Sequence, residues 1–244
     1  MRSLIDYRSK FFASYHIAVG TSAVNGTHYE QCSRQFRGRW ARWLPADKSA
    51  AMLDLGCGCG EFLYFLRSVG YENVFGVDVC ESELEQARQI GIPNLTCASA
   101  LEYLEDKKES LDVISAFNLF EHLRKDEILR LLKLIHQALK PGGKLLAVTP
   151  NGLSPFGGAT RYWDFSHETG FTPASWRQIA RITGFSDIHF EEYGPIPHSV
   201  FGVLRVVLWQ LIRLSLQSVS YIEVGGPRDA SRVYTADMKI VLAK

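Results

Sequence analysis

The chain has 244 residues, of which 46% are hydrophobic and 22% are charged, and its formal net charge is +1 at pH 7. This composition excludes a chain that is disordered throughout, and the length suits one well-buried α/β domain with an appendage. Because the net charge is close to zero, the chain as a whole does not attract polyanions, and no nucleic-acid partner is expected.

Cysteine usage and the first residues predict a cytoplasmic location. The five cysteines are odd in number and the chain is not small, so no disulfide framework is expected. Residues 1–10 lack the apolar core that a signal peptide needs. Cys57 and Cys59 are too close in sequence for the usual paired zinc ligands. The residue types of His122, Asp164 and His167 would permit a metal site, but they lack metal-ligand spacing and no metal is expected.

Residues 1–49 are predicted to form helices that precede the core and end at Leu44-Pro45. The remaining residues, 50–244, form the second predicted unit. Four side chains of the first unit suggest a lid over a cofactor, or a cover for one face of a sheet: Tyr7, Phe11, Tyr15 and His16.

From residue 50 to residue 150 the pattern alternates between strands and helices. The predicted strands are Ala51–Leu55, Asn73–Val79, Asn94–Ala98, Leu111–Phe117 and Lys144–Thr149. The predicted helices between them are Glu61–Val69, Ser82–Ile90 and Lys125–Leu139. This rhythm predicts a parallel sheet with helices on both faces.

The last third begins with an irregular segment, residues 151–175, and then has a predicted helix at Pro173–Thr183 and strands near Ile188–Tyr193 and Asp237–Leu242. Between these strands lies an apolar segment, Val200–Val224. It is long enough to cross a membrane, but its internal arginines make a spanning helix unfavourable. Packing on the fold is the default prediction, and a dimer interface or a helix resting on the membrane surface are the alternatives.

A glycine-rich loop follows the first predicted strand. Gly56, Gly58 and Gly60 allow a tight turn and let the backbone approach a ligand without an intervening Cβ atom. Asp78 ends the second strand, 18 residues after Gly60, where its carboxylate is expected to accept both hydroxyl hydrogens of a ribose. Together these features predict a nucleotide-cofactor site.

Two classes of cofactor share this geometry. Dinucleotide oxidoreductases usually carry Gly-x-Gly-x-x-Gly, with a pyrophosphate at the helix N-terminus. Here the third glycine comes one residue early and Glu61 follows it. A carboxylate at this position repels a pyrophosphate but tolerates the amino-acid part of a sulfonium compound. The sequence therefore favours S-adenosylmethionine over NAD.

Three motifs resemble those of class I S-adenosylmethionine-dependent methyltransferases. Leu53–Gly60 matches the first motif, Leu111–Leu123 resembles the fourth-strand motif, and Leu139–Lys144 resembles the turn before strand five. The resemblance implies a Rossmann-like α/β fold with a mostly parallel seven-stranded sheet, helices on both faces, N-terminal helices and a C-terminal helical insertion.

The same resemblance implies S-adenosyl-L-methionine as the cofactor. It assigns cofactor contacts to Asp54, Gly56, Cys57, Gly58, Gly60, Asp78, Val79, Ser99, Ala100 and Asn118. Ser99 stands where the family commonly has an aspartate that binds the adenine amino group, and its hydroxyl is expected to form this hydrogen bond instead.

A narrower resemblance concerns methyltransferases encoded with bacterial surface-polysaccharide genes. Its motifs are Thr149–Asn151, Arg161–Glu168, Phe171–Pro173 and Ile182–Phe185. It implies O-methylation of a sugar hydroxyl of a polysaccharide or its precursor. Alternatives are a small-molecule or quinone-like acceptor, a non-catalytic cofactor-binding module and an oxidoreductase, and a homodimer remains an option.

A sugar hydroxyl needs a general base, and three candidates follow predicted strands: His122, Asp164 and His167. Arg161, Tyr162 and Trp163 are the candidate acceptor-binding residues, through a charge pair and aromatic stacking. The structural alternatives are that Glu121 and His122 line or cap the following helix, and that Asp164 and His167 are an N-cap and a packing histidine.

Overall fold

One sheet of seven strands organises the chain, in a computed structural model that describes residues 7–12, 15 and 26–244. The strands are β1 Met52–Leu55, β2 Val74–Asp78, β3 Leu95–Cys97, β4 Leu111–Phe117, β5 Leu139–Pro150, β6 Asp187–Glu192 and β7 Asp237–Ala243. Their order is β3-β2-β1-β4-β5-β7-β6. Pairs among β1 to β5 are parallel, whereas β7 is antiparallel to β5 and β6. The predicted seven-stranded, mostly parallel sheet is confirmed.

Helices pack on both faces of this sheet. In the described part of the chain they are α1 Tyr7–Phe12, α2 Gly26–Trp40, α3 Glu61–Ser68, α4 Glu81–Gln89, α5 Ala100–Leu104, α6 Lys125–Ala138, α7 Gly157–Tyr162, α8 Pro173–Ile182 and α9 Val200–Val224. One apolar layer joins the sheet to α6 and α8 through residues such as Leu131 and Trp176. The other joins it to α2, α3 and α4 through Trp40, Phe65 and Leu84.

The strand order reverses between β1 and β4, which lie side by side at the middle of the sheet. The crossovers on the two sides of this point lead to opposite faces, so a crevice remains at the carboxyl edge of the sheet. A buried hydrogen bond joins the two strands there, from the Ser115 hydroxyl to the Asp54 carboxylate at 2.6 Å. This edge is where ligands bind in open parallel sheets.

Helix α9 is exposed along most of its length. Gly202 and Ser220 are its buried residues, and Trp209 and Arg213 contact the domain through Glu192. The exposed large apolar side chains of α9 are Val200, Phe201, Val203, Leu204, Val207, Leu208, Leu211, Ile212, Leu214, Val219, Tyr221, Ile222 and Val224. The default prediction that this segment packs on the fold holds only for a narrow stripe of the helix, and most of its apolar side chains remain exposed.

Length and composition alone make α9 a candidate membrane span among the described residues. Its contacts with Glu192 nevertheless hold its inner stripe on the domain. Two of the predicted roles therefore remain, a dimer interface and a helix resting on the membrane surface.

Candidate active site

A cavity of about 900 Å³ opens at the carboxyl edge of the sheet, between the loop after β1, the start of α5, the turn after β4, and α1 and α2. Most of the predicted cofactor-binding residues line it: Asp54, Gly56, Cys57, Gly58, Asp78, Val79, Ser99, Ala100 and Asn118. Gly60 is not in the wall; it is the N-cap residue of α3 and lies against Ala87.

The loop between β1 and α3 is tied to β2. Gly56, Gly58 and Gly60 have φ angles between +51° and +82°, in the left-handed region that favours glycine. The Gly56 N–H donates to the Val77 carbonyl at 2.8 Å. Cys57 is buried in the apolar layer below the loop, so it offers its backbone rather than its thiol to a ligand.

Asp78 is oriented by two backbone N–H groups. One carboxylate oxygen accepts from Gly58 at 2.9 Å and the other accepts from Cys80 at 2.8 Å. Each oxygen keeps a further lone pair, which suits the two hydroxyls of a ribose. Burial raises the pKa of Asp78, while the backbone hydrogen bonds act to lower it.

Four further carboxylates share the cavity wall with Asp78: Asp54, Glu61, Glu83 and Glu127, of which Glu127 is paired with Arg8. Burial raises the pKa of Asp54 to about 7, although the Ser115 hydroxyl acts to lower it. Burial, together with the charges of Asp78 and Glu61, raises the pKa of Glu83 to about 7. S-adenosylmethionine carries a sulfonium and an ammonium group against one carboxylate, so this acidic wall favours it electrostatically.

Ser99 begins α5 as its N-cap. Its hydroxyl oxygen accepts the Glu102 N–H at 3.2 Å, and the Glu102 carboxylate accepts the Ser99 N–H at 3.4 Å. The hydroxyl proton is left for an adenine ring nitrogen, whereas acceptance from the adenine amino group competes with the cap. Ser99 is therefore better placed to donate to an adenine ring nitrogen than to accept from the adenine amino group, which is the contact that the sequence predicts.

Three side chains come together beyond the acidic wall: Glu121 and His122 from the turn after β4, and His167 from the segment after β5. One donor atom of each lies within 4.8 Å of the other two, and the imidazole centroids are 4.8 Å apart. Glu121 is 1% exposed, and His122 is 8% exposed and lines the cavity. The alternative that these two cap α6 is wrong, because the Glu127 carboxylate accepts the N–H of the N-cap residue Arg124.

Hydrogen bonds fix the tautomers of both imidazoles. The Ser166 hydroxyl donates to Asp164 at 2.7 Å, so its oxygen accepts a hydrogen bond from the His122 Nδ1–H at 2.8 Å. His167 Nδ1 lies 3.2 Å from the Arg161 carbonyl, which only accepts. Both rings therefore carry their proton on Nδ1 and their lone pair on Nε2.

Burial controls the charge of this group of side chains. It lowers the pKa of His122 to about 4, with a smaller effect from His167, so the imidazole is neutral at pH 7. Burial also raises the pKa of Glu121 to about 8. For Asp164 burial acts to raise the pKa, but hydrogen bonds from Ser166 and Tyr15 outweigh it and the pKa is lowered. Asp164 thus orients His122 through Ser166 and is not in the cavity wall.

The predicted acceptor-binding residues lie outside the cavity wall. The Arg161 guanidinium donates to the carbonyls of His167 and Glu168, at 2.7 and 3.1 Å, and not to a surface carboxylate. Tyr162 and Trp163 are 79% and 67% exposed. The structural alternative for Asp164 is also wrong, because Thr172 caps α8.

Other cavity residues were missed by the sequence patterns. They include Arg8, Phe12, His28, Cys32, Phe36, Glu83, Gln86 and Phe117. Glu83 and Gln86 are three residues apart on α4, a spacing that the sequence carries. Of the predicted lid, Tyr15 lines the cavity, and its ring stands edge-on to His122 at 5.9 Å. Phe12, which was not part of that prediction, stands edge-on to the same ring at 5.7 Å. His16 of that prediction lies outside the described residues.

Comparison with known proteins identifies the family. Residues 28–189 match the sequence profile of a methyltransferase domain. The chain belongs to this family. The predicted enzyme class is thereby confirmed, since its cofactor motifs and its fold are those of S-adenosylmethionine-dependent methyltransferases.

Solved methyltransferases share this fold. A S-adenosylmethionine-dependent methyltransferase from Archaeoglobus fulgidus has a TM-score of 0.65 at 22% identity, covering 88% of this chain and 94% of that one. Phosphoethanolamine N-methyltransferase 2 of Haemonchus contortus, solved with S-adenosyl-L-methionine, has a TM-score of 0.61 at 18% identity, covering 99% and 58%. S-adenosylmethionine is therefore the cofactor of the domain.

Named relatives are matched over part of their length. The human mitochondrial arginine-hydroxylase NDUFAF5 is 30% identical over 145 residues, which are 56% of this chain and 38% of that protein. A tRNA U34 carboxymethyltransferase from Pseudomonas aeruginosa is 28% identical over 154 residues, 61% of this chain and 44% of that protein. The chain spans less than half the length of these relatives.

The acidic wall predicts that preference for S-adenosylmethionine over S-adenosylhomocysteine rises with pH. Asp54 and Glu83, whose pKa values are raised to about 7, are mostly protonated at pH 6 and ionised at pH 8. Ionisation strengthens binding of the cationic cofactor and changes binding of the net-neutral product little. The Kd for S-adenosylhomocysteine divided by the Kd for S-adenosylmethionine, both measured by calorimetry, should rise at least about threefold from pH 6 to pH 8. Glu83→Gln should reduce the change, and a ratio independent of pH in the wild type contradicts this assignment.

Proposed function

We propose that the chain transfers the methyl group of S-adenosylmethionine to a hydroxyl oxygen of a small acceptor. The observation that carries this proposal is the neutral His122, whose ring lines the same cavity as the glycine-rich loop and Asp78. Methyl transfer from a sulfonium is an in-line displacement, so most of the catalysis is positioning of the two reactants. The attacking hydroxyl must also lose a proton, and without a bound cation His122 Nε2 is the group suited to accept it.

An acceptor with an apolar ring or chain fits this cavity better than a bare sugar. The wall beside His122 includes Phe12, Tyr15, Leu119 and Leu123. The aromatic and arginine side chains of Arg161–Trp163, which supported a sugar, lie outside it. We therefore propose a phenol- or quinol-like acceptor.

A sugar hydroxyl of a bacterial surface polysaccharide or its precursor is the second candidate. It is supported by the resemblance of Thr149–Phe185 to methyltransferases encoded with such genes. The substrates in the names of the matched relatives, a tRNA uridine and an arginine, are not proposed here, because the chain is close to neutral and its cavity has apolar walls.

Helix α9 supports a location at the cytoplasmic face of a membrane. The side of α9 that faces away from the domain carries Leu204, Val207, Leu211 and Leu214 and no charged side chain. A helix of this kind, held on a domain by its opposite stripe, can rest in a bilayer interface without crossing it. A lipid-like acceptor would be reached from there. A homodimer through the same helix face is the alternative.

The acceptor class is tested by offering radiolabelled S-adenosylmethionine with a panel of substituted phenols, reduced short-chain quinones and sugar nucleotides. We expect label in a phenol or quinol ether, at a rate at least about tenfold above that for any sugar, because the apolar wall excludes a hydrated ring. Higher rates with a sugar would instead favour the second candidate. Absence of label from every hydroxyl in the panel, by a chain that binds the cofactor, contradicts the proposed reaction.

His122→Ala should lower kcat by about 10²–10⁴-fold, the usual contribution of a group that activates the nucleophile. The Kd for S-adenosylmethionine should stay within about twofold of the wild type, because the predicted cofactor contacts lie elsewhere in the wall. His189→Ala is the matched control, since this exposed histidine contacts Asp187 and Trp43 outside the cavity. Equal kcat values in the His122→Ala variant and the wild type overturn the role of His122.

The double variant Leu208→Gln/Leu211→Gln should sediment less with anionic phospholipid vesicles than the wild type. Two half-exposed apolar side chains would be lost from the membrane-facing side of α9, which predicts about tenfold weaker binding. Ile182→Gln, an exposed apolar residue at the end of α8, is the control. If the wild type does not bind vesicles and is a dimer in sedimentation experiments, whereas the double variant is a monomer, then α9 is a dimer interface instead.

A further inference from the structure

Glu121, His122 and His167 together have the composition and the spacing of a metal site. Each offers one donor atom, and the three atoms lie within 4.8 Å of one another. We propose that these side chains bind a divalent transition-metal cation, through a Glu121 carboxylate oxygen and the Nε2 atoms of His122 and His167. The sequence suggests a different set, His122, Asp164 and His167, and predicts no metal there because the spacing of metal ligands is absent; the structure replaces Asp164 with Glu121.

Both histidines are already held in the form that binds a metal. A ligating histidine usually donates its other ring N–H to a hydroxyl, carboxylate or carbonyl group, which fixes its orientation. His122 Nδ1 donates to Ser166, which donates in turn to Asp164, and His167 Nδ1 donates to the Arg161 carbonyl. Arg161 returns a hydrogen bond to the His167 carbonyl at 2.7 Å. The outer partners of a metal site are therefore complete.

Glu121 is the second, independent observation. Its Oε2 atom is buried and has no hydrogen-bond partner among the described residues. Burying a carboxyl oxygen without a hydrogen-bond partner is costly, and a cation that takes the place of the carboxyl proton offsets that cost.

The ligand set selects the kind of ion. Two imidazoles and one carboxylate suit zinc, iron or cobalt, whereas magnesium and calcium prefer oxygen ligands. Donor atoms around a tetrahedral ion lie about 3.4 Å apart. Small side-chain rotations would therefore bring the three donor atoms within bonding distance of a single ion. Asp164 is not a ligand, because its oxygens accept from Ser166 and Tyr15.

Three protein ligands leave a coordination position open, as in catalytic zinc sites. His122 lines the cavity, so a cation that it binds lies at the cavity wall, within reach of an acceptor. The consequence for catalysis rests on the proposed function, whereas metal binding does not. The acceptor hydroxyl coordinates the cation, its O–H bond breaks, and the proton leaves to solvent, because His122 Nε2 is occupied. The oxygen then attacks the methyl carbon, and the C–S bond breaks with its electron pair going to sulfur.

Cobalt binding tests the site directly. Full-length protein freed of metal by a chelator and dialysis is titrated with Co²⁺, with visible absorption and calorimetry as readouts. We expect one Co²⁺ per chain with nitrogen and oxygen ligation. Glu121→Gln and His167→Ala should weaken binding at least about tenfold, whereas the control His189→Ala should bind like the wild type.

Folding is monitored separately by S-adenosylmethionine binding and by Tm in each variant. In the wild type Co²⁺ should raise Tm, and this rise should be lost in the correctly folded Glu121→Gln variant. Three results would overturn the site. They are the absence of saturable Co²⁺ binding, equal binding by the wild type and Glu121→Gln, and a thiolate-to-cobalt charge-transfer band as the only new absorption. If the protein binds Co²⁺ through these side chains but methylates no hydroxyl, the metal site is supported and only the proposed reaction is contradicted.

Discussion

The strand order reverses between β1 and β4, and this reversal determines where the sheet can bind a ligand. Right-handed crossovers on the two sides of this point lead to opposite faces of the sheet, so no crossover helix closes the carboxyl edge there. The buried hydrogen bond between Asp54 and Ser115 joins the two strands at this point. The glycine-rich loop, Asp78 and the turn with Glu121 and His122 all follow strands that end at this edge. Their convergence on one cavity therefore follows from the topology.

The cavity is divided electrostatically. Asp54 and Glu83, with Glu61 and Asp78, form an acidic wall that suits a cationic cofactor. Glu121, His122 and His167 form a second polar group, held by the segment after β5. The N–H groups of Glu168 and Thr169 donate to the Glu121 carbonyl at 2.7 and 3.0 Å, which fixes this segment against the turn after β4. Local backbone bonding thus brings together residues that are distant in sequence.

Much of the fold could be predicted from sequence because its signals are local. Short sequence patterns predict the Gly56–Gly60 loop, the position of Asp78 and the periodic Lys125–Ala138 helix. The structure has each of these features at the predicted position. Helices α5 and α7 were missed because they are one to two turns long and α7 contains two glycines. The exposure of α9 was missed because an apolar segment does not reveal whether another surface covers it. The site was harder to predict than the fold. Arg161 was predicted to bind the acceptor, but it donates to the His167 and Glu168 carbonyls, and these contacts depend on how residues 151–175 fold.

The central claim is that one cavity holds the cofactor against Asp78 and directs its methyl group towards His122. A crystal structure with S-adenosylhomocysteine tests it most directly. The ribose hydroxyls should lie within hydrogen-bond distance of the Asp78 carboxylate, and the sulfur atom should lie on the side of the cavity that His122 lines. A cofactor bound outside this cavity, or one whose sulfur faces away from His122, would contradict it.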